Sequence, residues 1–81
     1  MIKIYGSMLC EHCRRCREDL DGAGVEYEFL DFADSLANLK AFLAYRDTDP
    51  AYDSVRENGK IGIPTIIRED GTLTRSWEEF L

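Results

Sequence analysis

Short apolar runs and one amphipathic segment alternate in the N-terminal third of the chain. An apolar run over residues 2–5 ends at Gly6-Ser7 and predicts a first strand. Residues 11–23 predict a helix, because apolar side chains recur there at the i, i+3, i+7 spacing of one helix face. These side chains are Cys13, Cys16 and Leu20. Strict alternation over residues 25–29 then predicts a second strand, with its apolar side chains directed inward.

Two further helices are predicted in the middle of the chain. The first is capped by Asp34 or Ser35 and carries a row of apolar side chains on one face. These side chains are Leu36, Leu39 and Leu43, with Phe42 beside them. The second helix opens at Asp49-Pro50, because aspartate is a good N-cap and proline suits the first helical position. It stops at Asn58-Gly59.

The C-terminal part has the pattern of a hairpin followed by a short helix. Residues 64–68 and 72–75 predict strands, and the Asp70-Gly71 pair between them is a strong hairpin signal. Ser76 together with Glu79 predicts a capping box at the start of the last helix.

This order of elements, β-α-β-α-α-β-β-α, predicts a single α/β domain over residues 1–81. Two strands joined by a helix are expected to be parallel with a right-handed crossover. The strands of a hairpin are antiparallel. The expected architecture is therefore a four-stranded mixed sheet flanked by helices.

Composition and charge narrow the classes of partner. The 81 residues are 44% apolar and carry a formal net charge of −6. That charge argues against general nucleic-acid binding, which requires a basic surface. No apolar run approaches the roughly 18 residues of a membrane span, and the N-terminus lacks the apolar stretch of a secretion signal. We therefore expect a cytoplasmic protein with no nucleic-acid and no membrane partner.

The candidate chemistry lies in three clustered cysteines, Cys10, Cys13 and Cys16. An odd, clustered set does not staple distant parts of a small fold, so it indicates redox chemistry or metal binding. The Cys10-Glu11-His12-Cys13 motif stands at the junction of the first strand and the first helix. The unpaired N–H groups and the dipole of a helix N-terminus favour a thiolate over a thiol. The thiolate is the attacking species in disulfide exchange.

Cys10 is therefore the expected nucleophile, and Cys13, one turn further into the helix, is the expected resolving thiol. His12 as an imidazolium would stabilise the thiolate, and the alternative is an exposed loop histidine without such a role. Cys16 shares the helix face that packs on the sheet. It is either a buried core thiol, a second resolving thiol or a metal ligand.

The strand–CxxC–helix start and the later Ile63-Pro64-Thr65 segment resemble the glutaredoxins, within the wider thioredoxin-like fold. The resemblance covers nearly the whole chain in element order and length. It implies that Cys10 and Cys13 are the two active-site cysteines. It also implies a cis peptide bond before Pro64, which faces the nucleophile. The backbone N–H and C=O of Ile63 would then bind the chain of the substrate.

Other positions depart from the pattern of that family. Ser7 stands at the substrate-binding position where a lysine often precedes the motif, and Glu11 and His12 replace proline and tyrosine. Residues 73–77 replace the Gly-Gly and acidic signature that holds the γ-glutamyl end of glutathione. The cationic side chains that are candidates for carboxylate contacts are Arg14, Arg46 and Lys60.

The expected function is that of a dithiol–disulfide oxidoreductase that reduces protein or low-molecular-weight disulfides, with no bound cofactor and no metal. Its expected partners are a disulfide-containing protein or a glutathione mixed disulfide, and an electron-donor reductase. Glutathione is a candidate reductant. Two alternatives come from other classes: a metal or iron–sulfur binding module that uses the cysteine cluster, and a noncatalytic thioredoxin-like adaptor.

Overall fold

In a computed structural model that describes residues 1–81, the chain follows the predicted order of elements. The strands are β1 (Ile2–Gly6), β2 (Tyr27–Asp31), β3 (Thr65–Ile67) and β4 (Leu73–Thr74). The α-helices are α1 (Glu11–Gly22), α2 (Leu36–Arg46) and α3 (Asp53–Glu57). Two 3₁₀ turns lie before α3 and near the C-terminus, at Pro50–Tyr52 and Trp77–Phe80. None of the helices has the length and apolar character needed to cross a membrane.

The four strands form one mixed sheet in the order β2-β1-β3-β4. β1 is parallel to β2 and antiparallel to β3, and β3 is antiparallel to β4. The predicted four-stranded mixed α/β sheet is therefore confirmed. Because β1 and β3 are antiparallel neighbours, the end of β1 and the start of β3 lie at the same end of the sheet, where Tyr5 pairs with Thr65.

The protein has one apolar cluster on each face of the sheet, because successive residues of a strand point to opposite faces. The cluster on the α1 face contains five buried residues: Ile2, Ile4, Cys16, Leu20 and Ile66. The cluster beside α2 and α3 contains three: Phe42, Tyr52 and Val55. The predicted inward face of α1 is confirmed, since Cys13, Cys16 and Leu20 are its three buried residues.

The predicted apolar face of α2 is only partly correct. Ser35 is the N-cap, and its side chain accepts a hydrogen bond from the Ala37 N–H (3.0 Å). Leu36, however, is 73% exposed, and Phe42 is the buried residue of this helix. The buried side of α2 is thus centred on an aromatic ring that packs against Tyr52 and Phe32.

The predicted capping box near the C-terminus is wrong. The segment Trp77–Phe80 is a 3₁₀ turn, and the Ser76 side chain makes no capping hydrogen bond. The Glu79 carboxylate instead forms a salt bridge with Arg68 (2.7 Å). An ion pair with the hairpin therefore replaces the local hydrogen bond that the sequence pattern predicts.

Candidate active site

Cys10 lies between β1 and α1, as the sequence predicts. It is the N-cap residue of α1, with an extended backbone, and its side chain is partly exposed. The Cys10 N–H donates to the Ser7 C=O, and the Cys10 C=O accepts from the Arg14 N–H (both 3.1 Å). The Ser7 hydroxyl accepts from the Leu9 N–H (3.1 Å). A hydrogen-bonded turn thus holds the Cys10 thiol at the helix N-terminus, where an anion is favoured.

Cys13 is fully buried one turn further along α1. Burial raises the pKa of its thiol to about 12. A backbone hydrogen bond with Ser7 lowers this pKa, whereas the charge and hydrogen bonding of the Cys10 side chain raise it further. A Cβ atom placed on Gly6 would lie 2.7 Å from Cys13 Sγ, so this close approach requires glycine. The two thiols are therefore neighbours, with Cys10 on the solvent side and Cys13 behind it.

Cys16 belongs to the apolar cluster on the α1 face, together with Ile4 and Leu20. Burial raises the pKa of its thiol to about 11, and the carboxylates of Asp19 and Glu78 add to this. No group of three His, Cys, Asp or Glu side chains in the structure is placed to hold a metal ion. The location of Cys16 favours the interpretation of this residue as a core thiol.

A groove of about 520 Å³ lies beside the Cys10 thiol. Its lining includes four residues that the sequence analysis singled out: Cys10, His12, Ile63 and Pro64. The Ile63–Pro64 peptide bond is cis, as the family resemblance implies. Ser7 does not line the groove, and its hydrogen bonds hold the turn before Cys10 instead. The cysteine motif and the loop before β3, residues 60–64, called the proline loop, thus meet at one end of the sheet.

Buried hydrogen bonds hold the proline loop in place. The Tyr52 hydroxyl is hydrogen-bonded to Thr65 Oγ1, and the Thr65 hydroxyl donates to the Gly62 C=O (2.8 Å). Burial raises the pKa of Tyr52, so its hydroxyl keeps its proton. Gly62 has a φ of +89°, and a Cβ atom there would lie 2.9 Å from the Tyr52 ring. Both its conformation and its contact therefore require glycine at this position.

The backbone of Ile63 has unused hydrogen-bonding groups in the groove that Cys10 also lines. Ile63 lines the groove, and neither its N–H nor its C=O takes part in a backbone hydrogen bond within the chain. An extended polypeptide can pair with such groups as an additional strand pairs with the edge of a sheet. The arrangement therefore offers one donor and one acceptor to a chain that enters the groove.

Of the three cationic candidates for carboxylate contacts, Lys60 lines the groove and the two arginines do not. Arg14 donates to the Met8 C=O (2.7 Å) before the cysteine motif. Arg46 donates to the C=O groups of Lys60 (2.6 Å) and Ile61 (3.1 Å). Both arginines therefore hold the loops on either side of the groove.

Among the groove residues that the sequence analysis did not identify as site residues are Arg75 and Trp77. The Trp77 ring packs against the α1-face cluster, and its Nε1–H donates to Asp19 on α1 (2.8 Å). The Arg75 guanidinium lies 5.4 Å from the centroid of the Tyr52 ring. The signal in the sequence was that residues 73–77 depart from the Gly-Gly and acidic signature of the glutaredoxins, which the chain resembles.

Comparison with known proteins finds similarity to a protein of Haemophilus influenzae. An uncharacterized protein of Haemophilus influenzae is 38% identical to the chain over 55 residues, which are 68% of this chain and 64% of that protein. The chain thus spans less than two thirds of the length of this relative. No protein-family model and no solved structure matches the chain.

Proposed function

We propose that this protein is a glutaredoxin-like dithiol–disulfide oxidoreductase with a thioredoxin-like fold. One observation carries the proposal: the partly exposed Cys10 is the N-cap residue of α1 and lines a groove with Ile63 and Pro64, and the buried Cys13 interacts with it from one turn further along the helix. The proposed nucleophile, the proposed resolving thiol and a backbone segment that can pair with a substrate chain thus belong to one site. A metal module requires further ligands, whereas this arrangement uses the thiols as a pair.

The first step is attack of the Cys10 thiolate on one sulfur of a substrate disulfide. A bond forms between Cys10 Sγ and that sulfur, the substrate S–S bond breaks, and the second sulfur leaves as a thiolate that takes a proton from solvent. The N-terminus of α1 supports the thiolate, and a protonated His12 in the same groove would support it further.

The second step is attack of Cys13 on Cys10 Sγ. Cys13 gives its proton to solvent, a Cys10–Cys13 disulfide forms, and the remaining half of the substrate leaves as a thiolate and is protonated. Burial is the main cause of the raised pKa of Cys13 and is unchanged by the first step. That step removes a smaller cause, because a Cys10 sulfur bound in a mixed disulfide carries no charge. The dithiol has then lost two electrons to the substrate disulfide.

An external reductant must restore the dithiol by supplying two electrons and two protons. Candidate donors are glutathione and an electron-donor reductase, and candidate substrates are a disulfide-containing protein and a glutathione mixed disulfide. No cofactor is needed at the site, because sulfur–sulfur exchange is a direct displacement.

Single-turnover reduction of oxidised insulin tests the proposal without assuming a donor. The reduced parent protein should convert one insulin disulfide to two thiols per molecule, and the Cys10→Ser variant should convert none, because the attacking sulfur is absent. The Cys13→Ser variant should stop at the mixed disulfide, which intact-mass spectrometry detects as covalently attached insulin chain.

The matched control is Cys16→Ala, which removes a thiol of the same helix that lies in the core. It should reduce insulin as the parent protein does. Full reduction by the Cys10→Ser variant would contradict the proposal. Stoichiometric metal in protein purified without oxygen, lost on substitution of Cys10 and Cys13, would favour a metal-binding module instead.

A further inference from the structure

The groove beside Cys10 is positively charged, although the protein as a whole is acidic. Lys60 and Arg75 line it, and no aspartate or glutamate does. Glu11, which follows the nucleophile in the sequence, is also absent from the lining. The whole chain carries 16 acidic and 10 basic side chains. The surface outside the groove therefore repels an anion, whereas the groove attracts it.

Neither cation of the groove is neutralised by the protein. Lys60 and Arg75 take part in none of the salt bridges of the chain. Arg75 is held by the Tyr52 ring and by a hydrogen bond to the Ala51 C=O (3.3 Å). A ring face and a carbonyl fix the position of a guanidinium without neutralising it, so its charge remains available to a ligand.

Apolar side chains extend the surface beyond the size of a small ligand. Leu9, which precedes the nucleophile, is 91% exposed, and Ile61 in the groove is 47% exposed. The unpaired backbone groups of Ile63 belong to the same groove lining as the two cations and Cys10. Exposed apolar residues around a reactive group and free backbone groups together suit an extended polypeptide.

We propose that the substrate of this site is a polypeptide disulfide flanked by acidic side chains, selected by Lys60 and Arg75. This inference rests on the proposed function. Cys10 attacks the disulfide, the backbone of Ile63 pairs with the substrate chain, and the two cations receive its carboxylates. The specificity thus comes from charge complementarity between the groove and the residues that neighbour the substrate cysteine.

The size of the effect follows from the exposure of both cations. An ion pair at an exposed site changes a rate or an affinity by roughly threefold, so two pairs give about tenfold. The preference should weaken as salt increases, because exposed charges are screened over about 10 Å at 0.1 M ionic strength.

The test is a set of disulfide-linked peptides of identical length whose residues beside the cysteine are Glu, Gln or Lys. Second-order rate constants for single-turnover reduction are measured with the parent protein, Lys60→Gln, Arg75→Gln, Arg75→Lys and Arg15→Gln. The matched control is Arg15, an exposed arginine of α1 outside the groove. Glutathione disulfide and uncharged bis(2-hydroxyethyl) disulfide are the small-molecule arms.

The expected result is that the Glu peptide reacts about ten times faster than the Gln peptide, and the Lys peptide more slowly still. This ratio should fall about threefold in Lys60→Gln and in Arg75→Gln, recover in Arg75→Lys, and stay unchanged in Arg15→Gln. Because the ratio compares two peptides with one protein, a general loss of activity in a variant does not alter it.

Three other outcomes overturn the inference in different ways. Equal rates for all three peptides leave the oxidoreductase proposal standing and remove the charge selection. Faster reduction of glutathione disulfide than of every peptide, with the same dependence on Lys60 and Arg75, assigns the groove to a small anion. Failure to reduce any disulfide, including the uncharged one, removes the proposed function itself.

Discussion

The two faces of the sheet hold the two halves of the candidate site by different physical means. On the α1 face, the helix that carries Cys10 and Cys13 is fixed by apolar packing of Cys16 and Leu20 against β1 and β3. On the α2–α3 face, the loop before β3 is fixed by hydrogen bonds among Tyr52, Thr65 and the Gly62 C=O. The helix that carries the buried Cys13 is thus positioned mainly by non-directional burial, whereas the proline loop is positioned by directional polar contacts.

This difference predicts how the stability of each half of the candidate site responds to substitutions. Packing tolerates changes that keep volume, whereas a buried polar network loses stability when one partner is removed. Glycine is required on both sides, for contact with Cys13 Sγ at Gly6 and for contact with Tyr52 at Gly62. Substitutions at these two positions therefore compare the halves directly.

The largest effect is expected for Gly62→Ala. The added Cβ would lie 2.9 Å from the Tyr52 ring, at a residue whose φ is +89°. The positive φ costs about 1–2 kcal/mol and the overpacking about 1–3 kcal/mol, so denaturant unfolding should show a total loss of about 2–5 kcal/mol. Gly59→Ala is the control, because Gly59 has a φ of +65° and open space around it.

Gly59→Ala should lose only the conformational part, about 1–2 kcal/mol. Equal losses at the two positions would show that the contact between Gly62 and Tyr52 contributes nothing. The difference in free energy of unfolding between the two variants therefore measures the contribution of the close contact between Gly62 and the Tyr52 ring.

The next effect is expected for Gly6→Ala, on the α1 face. A Cβ atom 2.7 Å from Cys13 Sγ must displace the thiol or the helix, which should lower the free energy of unfolding by about 1–3 kcal/mol. Gly22→Ala is the control, because nothing lies within 4 Å of its added Cβ and alanine favours a helix. A Gly6→Ala variant as stable as the parent protein would contradict the packing of Cys13 against β1.

The same difference explains which parts of the protein were predictable from its sequence. The inward face of α1 was predicted, because apolar packing of a helix leaves a periodic pattern at Cys13, Cys16 and Leu20. The Asp70-Gly71 hairpin was also predicted, since Asp70 Oδ1 accepts from the Thr72 N–H and Gly71 has a φ of +88°. Both features depend on residues close together in the sequence.

The polar contacts that hold the proline loop leave no such periodic pattern in the sequence. Tyr52 and Thr65 are 13 positions apart, and nothing local indicates that their hydroxyls meet. Arg75 reaches the groove because the hairpin returns it to Tyr52, again through a contact distant in sequence. The cis Ile63–Pro64 bond was anticipated through the resemblance to a family and not through local chemistry. Tertiary contacts of this kind cannot be derived from periodicity.

An effect of comparable size is expected at alkaline pH, through the buried thiols on the α1 face. The folded protein raises the pKa of Cys16 from its ordinary value of 9.0 to about 11, because the thiol is buried. The folded state therefore keeps a proton that the unfolded chain loses, and this contribution to stability is complete below pH 9. It declines as pH rises to about 11, with a slope of at most about 1.4 kcal/mol per pH unit.

Denaturant unfolding between pH 8 and 11 under reducing conditions measures the combined slope of Cys13 and Cys16, because burial raises the pKa of both thiols, and the Cys16 variants isolate the share of Cys16. Cys16→Val and Cys16→Ala should both show a shallower decline than the parent protein, because neither side chain titrates. The pair separates titration from cavity formation, since valine retains the apolar volume and alanine does not. If both variants kept the slope of the parent protein, the protonation of Cys16 would not differ between the folded and the unfolded state, which would contradict the prediction.

The smallest effect is expected for Tyr52→Phe, which keeps the aromatic packing against Phe42 and removes one hydroxyl. Thr65 still donates to the Gly62 C=O, so the loop keeps its hydrogen bond and the loss should be about 1 kcal/mol in the free energy of unfolding. Tyr45→Phe is the matched control, because the Tyr45 hydroxyl makes no hydrogen bond within the chain, and it should change stability by less than about 0.5 kcal/mol. Equal results for the two variants would show that the Tyr52 hydroxyl does not stabilise the proline loop, and the polar contribution on this face would then be limited to the Thr65–Gly62 hydrogen bond.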